Sequence, residues 1–175
     1  AFVSPRCSSI IAPHEIHEDH IKELEKLFRN AVRYSNLTSV INETNRSEML
    51  AGKHILIIDN MGMLSKLYYY ATVTYVGGGF GGAGIHNILE AVVYGKPVLF
   101  GPVNQKSREA QYLQELGVAI SIQSAVEFED TLNDLFSDKE KCKTLGKLAS
   151  GYVQKEAGAT MKIMHFIQEN RLLTN

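Results

Sequence analysis

The sequence predicts an α/β fold, a Rossmann-like three-layer sandwich with about six parallel strands. Three observations predict it. Short β-rich segments alternate with helical patterns along most of the 175 residues. The strand segments read apolar throughout, so both faces need cover, which places a parallel sheet between helix layers joined by right-handed crossovers. A glycine-rich run also falls between a strand and a helix, at the sheet edge where such folds bind ligands.

The elements follow in order. "SSIIA" (8–12) is a short apolar strand stopped by Pro13. In "IHEDHIKELEKLFRNAVRY" (16–34), Ile21, Leu24, Leu27, Phe28 and Val32 step by three and four, a helical stripe. "LTSVIN" (37–42) and "HILIID" (54–59) read as strands, with "MGMLSKLYYYA" (61–71) a short helix. "TVTYV" (72–76) is a strand running into the glycines. "HNILEAVVYG" (86–95) reads as a helix closed by Gly95, "PVLFG" (97–101) as a strand, and "REAQYLQELG" (108–117) as a helix closed by Gly117. "VAISI" (118–122) is a strand, "AVEFEDTLNDLF" (125–136) a helix, and the chain is all-helical from Ser137 onward. There is no repeat and no linker, so residues 1–175 are expected to form a single domain.

Bulk properties narrow the class. The chain is 45% apolar and 21% charged, which excludes disordered and collagen-like types. A net charge of −1 gives no nucleic-acid footprint. No apolar run approaches the roughly 20 residues that span a bilayer, and the start lacks the pattern of a signal peptide. Cys7 and Cys142 have no metal-ligand spacing and read as unpaired thiols of a reducing compartment.

The chemistry centres on "GGGFGGAGIHNILE" (77–90). Glycine permits positive φ and close approach of backbone to a ligand, and amides before a helix N-terminus suit an anion, so phosphate is the expected guest. Gly77, Gly79 and Gly82 fit G-x-G-x-x-G, but no acidic residue ends the next strand, as a dinucleotide site requires. A P-loop fails because no Gly-Lys-Ser/Thr follows. His86, Asn87 and Glu90 share a face at a spacing of three and four. A carboxylate there can accept two hydrogen bonds from a ribose diol. The same three residues also read as helix caps and a solvated acid. "APHE" presents Pro13, His14 and Glu15 at one strand end, and "DNMGML" presents Met61 and Gly62 at another, where Asp59 or Asn60 could equally cap a helix.

"IIAPHEIHEDHI", "IIDNMGMLSKLYYYATVTYVGGGF" and "GIHNILEAVVYGKPVLFGP" together resemble the C-terminal half of 3-deoxy-D-manno-octulosonic acid (Kdo) transferases, which are similar to other GT-B glycosyltransferases. The resemblance implies transfer of Kdo from CMP-Kdo to a lipid A precursor, with release of CMP. It implies no cofactor and no metal. The donor set it implies is Pro13, His14, Glu15, Met61, Gly62, Gly77, Gly78, Gly79, Phe80, His86, Asn87 and Glu90, with Asn87 and Glu90 on the CMP moiety. By the resemblance, the acceptor site, the general base and the membrane contact are expected in an N-terminal domain absent from this chain. The full protein is thus expected at the cytoplasmic face of the bacterial inner membrane, and this domain alone to be soluble and inactive. The helical C-terminus resembles the segment that packs back toward the N-terminal domain. Departures from the family pattern are Ala83, where a basic residue is common, Ile85 in place of Gly, Ile88 in place of Pro, and Ser107 in place of an aromatic. Rival readings are a GT-B-like UDP-sugar epimerase, another sugar-nucleotide-dependent glycosyltransferase and a non-enzymatic nucleotide sensor.

Overall fold

Residues 8–40 and 42–172 are described by a computed structural model, whose contacts divide the chain into two units, Ala1–Leu67 and Tyr68–Asn175. Six strands are seen among the described residues, and every pairing between them is parallel. They form two three-stranded sheets, one in each unit.

The first unit runs β1 (Ser9–Ile11), α1 (Glu18–Leu27), β2 (Ala31–Arg33), α2 (Tyr34–Ser39), α3 (Glu43–Leu50), β3 (Ile55–Ile57) and α4 (Leu64–Leu67). Its strand order is β1-β3-β2, with Ile57 beside both Ile11 and Arg33. The α1 stripe packs Ile21, Leu24 and Phe28 over Ala31, Ile55 and Ile57.

Two sequence expectations change here. The helix expected over 16–34 ends at Leu27, and Ala31–Arg33 is a strand. Val32 continues the helical spacing, but the chain turns at Arg29-Asn30 and the β-branched residue joins the ladder to Leu56. The guanidinium of Arg33 then ties the strand back to α1. Its Nε and Nη2 donate to the two carboxylate oxygens of Glu25 (2.8 and 2.6 Å), and Nη1 donates to Glu18 (2.9 Å). The Arg33 hydrogen bond holds the Glu18 carboxyl below the ordinary glutamate range.

The strand expected over 37–42 is also not formed. Leu37–Ser39 lie in α2, and Ile41 is outside the described residues. Asp59 accepts hydrogen bonds from the Ser35 amide (3.0 Å) and the Ser35 hydroxyl, which pins the first turn of α2. The Thr38 and Ser39 hydroxyls donate back to carbonyls three residues earlier, the local bonding these residues favour over a ladder. Helix α3 carries no sequence prediction; Asn42 caps it by accepting from the Thr44 amide (2.9 Å).

The second unit opens with a 3-10 turn at Tyr68–Tyr70. It continues with β4 (Thr74–Val76), α5 (Leu89–Val92), β5 (Val98–Phe100), α6 (Arg108–Glu115), β6 (Ala119–Ser121), α7 (Ala125–Ser137), α8 (Lys139–Glu156) and α9 (Ala159–Glu169). The strand order is β4-β5-β6. The central strand β5 is buried on both faces, as its all-apolar sequence requires. Val98 and Phe100 pack on one side with Ala91, Val92, Leu113 and Ala149. Leu99 packs on the other with Ile122, Leu135 and Leu132. Within this unit the sheet is therefore the middle of three layers. Ser107, Ser124 and Asp138 cap α6, α7 and α8 through their side-chain oxygens, and Gly117 closes α6 at φ 73°. Cys142 is a free thiol that donates to the Leu135 carbonyl (3.0 Å); Cys7 lies outside the described residues.

Helix α8 docks through glycine. A Cβ on Gly146 would stand 2.5 Å from the Gly95 carbonyl oxygen, and Gly95 itself has φ +64°. Gly146→Ala is expected to lower stability by about 1–3 kcal/mol, because a methyl group must displace backbone rather than a flexible side chain. Urea unfolding beside Gly151→Ala, which meets nothing within 4 Å, separates the steric effect from helix propensity. At the far end, α9 buries no residue, and Met161, Ile163 and Phe166 are exposed. Among the described residues no helix is long and apolar enough to cross a membrane.

Candidate functional site

In each unit the predicted residues follow the carboxyl ends of paired parallel strands. In the first, Pro13, His14 and Glu15 follow β1, and Met61 and Gly62 follow β3, so both loops leave the same end of one sheet. His14 and Glu15 are exposed, Met61 is 76% exposed, and Gly62 turns at φ +86°.

In the second unit the glycine run folds back on itself. Gly78 and Ile85 form an antiparallel bridge, flanked by hydrogen bonds from the Gly79 amide to the Gly84 carbonyl (3.0 Å) and from the His86 amide to the Gly77 carbonyl (3.1 Å). The Gly84 amide turns toward the Gly81 carbonyl (3.4 Å), and the Val103 amide donates to Gly79 (2.8 Å), tying the hairpin to the loop after β5. A Cβ on Gly78 would stand 2.3 Å from the Gly84 oxygen, and one on Gly79 would stand 2.8 Å from the Gly101 oxygen. Gly78 and Gly79 also have φ of +82° and +77°. Much of the glycine thus serves backbone-to-backbone contact, and the amides of Gly79, Gly84 and His86 are committed inside the hairpin. Phe80, by contrast, is 58% exposed at its tip.

The helix expected over 86–95 is shorter, spanning only Leu89–Val92. Asn87 stands before it, and its Oδ1 accepts from the Leu89 amide (3.0 Å), an Asx turn that delays the helix. The Asn87 Nδ2 donates to Glu90 Oε1 (3.3 Å), so these two polar groups do meet on one face. The His86 ring lies against Gly77, where a Cβ would approach it at 3.5 Å. Glu90 also sits near Tyr68, whose phenol is pushed up chiefly by burial and then by the Glu90 charge.

His86 and Asn87 line a cavity of about 260 Å³ together with Ile85, Ile88, Leu89, Lys106, Ser107 and Glu109. Of the last three, Lys106 and Glu109 were not singled out from the sequence, and Ser107 only as a departure from the family pattern. Their signal is topological: β4 and β5 are adjacent and parallel, so the loop after β5 faces the loop after β4. Among the described residues no three His, Cys, Asp or Glu side chains gather as a metal-ligand set.

No protein-family model matches the chain. It is 27% identical over 166 residues to a bifunctional glycosyltransferase/methyltransferase of Fusobacterium nucleatum, covering 94% of this chain and 22% of that protein. It is 31% identical over 102 residues to the 3-deoxy-D-manno-octulosonic acid transferase of Aquifex aeolicus, covering 58% of this chain and 29% of that protein. Its fold matches the C-terminal CMP-Kdo binding domain of WaaA from Acinetobacter baumannii with a TM-score of 0.69 and 22% identity, over 84% of this chain and 74% of that one. The chain is a relative of the Kdo transferases. It spans 22–29% of the length of the two curated relatives named, so it corresponds to one part of such a protein. The likeness to that solved domain agrees with the α/β architecture expected from the strand pattern.

Proposed function

We propose that this chain is the donor-binding domain of a glycosyltransferase that moves Kdo from CMP-Kdo to a lipid A precursor and releases CMP. The observation that carries the reading is the sequence likeness to Kdo transferases combined with a polar cavity beside the glycine hairpin. The cytidine monophosphate lies beyond the strand ends. The Glu90 carboxylate accepts hydrogen bonds from the ribose diol, and Asn87 orients Glu90. In the first unit, the loops after β1 and β3 carry Pro13, His14, Glu15, Met61 and Gly62, which the family resemblance assigns to the donor. Because α5 has only four residues, stabilisation of the departing phosphate rests on side chains and loop amides rather than on the dipole of α5. The acceptor hydroxyl is deprotonated by a base from an N-terminal domain and attacks the anomeric carbon opposite the leaving CMP, inverting it. That domain also meets the inner membrane at its cytoplasmic face, and the exposed apolar side chains of α9 suit contact with it.

Titrating CMP into the 175-residue chain while following the amide resonances of residues 77–84 tests the reading. Shifts in that loop and in residues 86–90, with UMP competing poorly, are expected. Absence of any shift there would sink it. Glu90→Ala is expected to weaken CMP about 10-fold or more, the loss of a charged hydrogen-bond acceptor. An unchanged affinity would remove Glu90 from the site.

A further inference from the structure

A phosphate beside the glycine hairpin needs a counter-charge, and the hairpin and the short helix after it do not supply one. From Thr74 to Gly95 the sequence contains no lysine or arginine. Ala83, at the end of the glycine run, is a methyl group. The next cation in the chain is Lys96, which lies just before β5, at the opposite end of the sheet from the hairpin. The loop after β5 returns to the correct end. Of the residues that line the cavity with His86 and Asn87, Lys106 alone carries a fixed positive charge.

We infer that Lys106 is the phosphate-binding cation of this donor site, a role that rests on the CMP reading above. Three features place it. Lys106 is exposed and holds no ion pair among the described residues, so its ammonium is not already neutralised. The loop that carries it is tied to the hairpin by the Val103 amide on the Gly79 carbonyl, which fixes its origin relative to the glycines. The adjoining Ser107 caps α6, so the positive end of that eight-residue helix faces the same cavity. Glu109 also lines the cavity, but its carboxylate is turned to the Ser107 hydroxyl (3.4 Å). A phosphomonoester or phosphodiester is therefore met by an ammonium from one wall and by Asn87 and His86 from the other. Lysine on a flexible stem binds phosphate as a point charge, so it tolerates both the donor diester and the departing monoester.

The test compares CMP with cytidine, which lacks only the phosphate. The wild-type chain is expected to bind CMP more tightly than cytidine. Lys106→Gln is expected to lose about tenfold in CMP affinity, leave cytidine binding unchanged and flatten the salt dependence of CMP binding. Lys106→Arg is expected to retain most of the CMP affinity. If wild type prefers CMP over cytidine and Lys106→Gln keeps that preference and its salt dependence, Lys106 is not the cation, while the donor reading stands. If wild type binds neither compound, the donor reading fails and the assignment falls with it. Lys106 is a surface residue, so the variants are expected to fold, and the cytidine titration reports any general damage.

Discussion

Gly79→Val is expected to abolish CMP binding and to destabilise the chain by about 2–5 kcal/mol. The figure combines a left-handed backbone forced on a β-branched residue, about 1–2 kcal/mol, with overpacking, about 1–3 kcal/mol. The cause is local and can be named. Gly79 has φ +77°, and its Cβ would stand 2.8 Å from both the Gly101 oxygen and the Ile85 Cγ2. Gly101 faces it in turn, since a Cβ there would approach the Gly79 carbonyl carbon at 2.6 Å. Two backbone segments thus touch where neither can carry a side chain, and each leads on to residues that line the cavity. Gly81→Ala is the matched control. It has neither positive φ nor any atom within 4 Å of a new Cβ, so a small effect is expected. Thermal melts and CMP titrations on both variants decide the matter. Equal stability of the two would mean that the hairpin is held by something other than these glycine contacts.

Phe100→Ala is expected to cost about 3–5 kcal/mol, a large part of the total stability of a typical domain. Phe100 is fully buried in the middle strand of its sheet, within the cluster that includes Val76, Val98 and Leu113. It also stands immediately before Gly101, so the cavity its loss creates lies under the hairpin contact. Weakened CMP binding should accompany the lower urea midpoint. Val126→Ala, at a position 71% exposed, is expected to change stability by no more than about 0.5 kcal/mol. A Phe100 variant that unfolds at the wild-type midpoint would overturn the packing account.

How much could be read in advance depended on where the decisive contacts lie along the chain. Strands β3 to β6 were legible because each is a short apolar run bounded by turn residues, and β5 is buried on both faces. Asn87 and Glu90 were legible as a pair because three residues on one turn bring side chains together. Strand β2 was hidden because Val32 continues the apolar spacing of α1, and only pairing with Ile55–Ile57 distinguishes strand from helix there. Helix α2 was hidden because the group that starts it, Asp59, lies 24 residues downstream. Lys106 and Glu109 were missed, and Ser107 noted only as a departure from the family pattern, for the same kind of reason. Nothing between residues 86 and 109 announces a shared cavity; the adjacency of β4 and β5 creates it. The glycines were read as a device for close approach to a ligand; what Gly78 and Gly79 approach in the structure is other backbone.

That last point bears on the entropy of binding. A glycine-rich loop left free would hold more conformational freedom than any other segment of its length, and a ligand would have to remove it. Here the bridge between Gly78 and Ile85 and the bond from Val103 to Gly79 remove much of that freedom during folding. The cost has been met before any nucleotide arrives. A guest entering the cavity therefore has less loop freedom to remove, and more of its contact energy is kept as affinity.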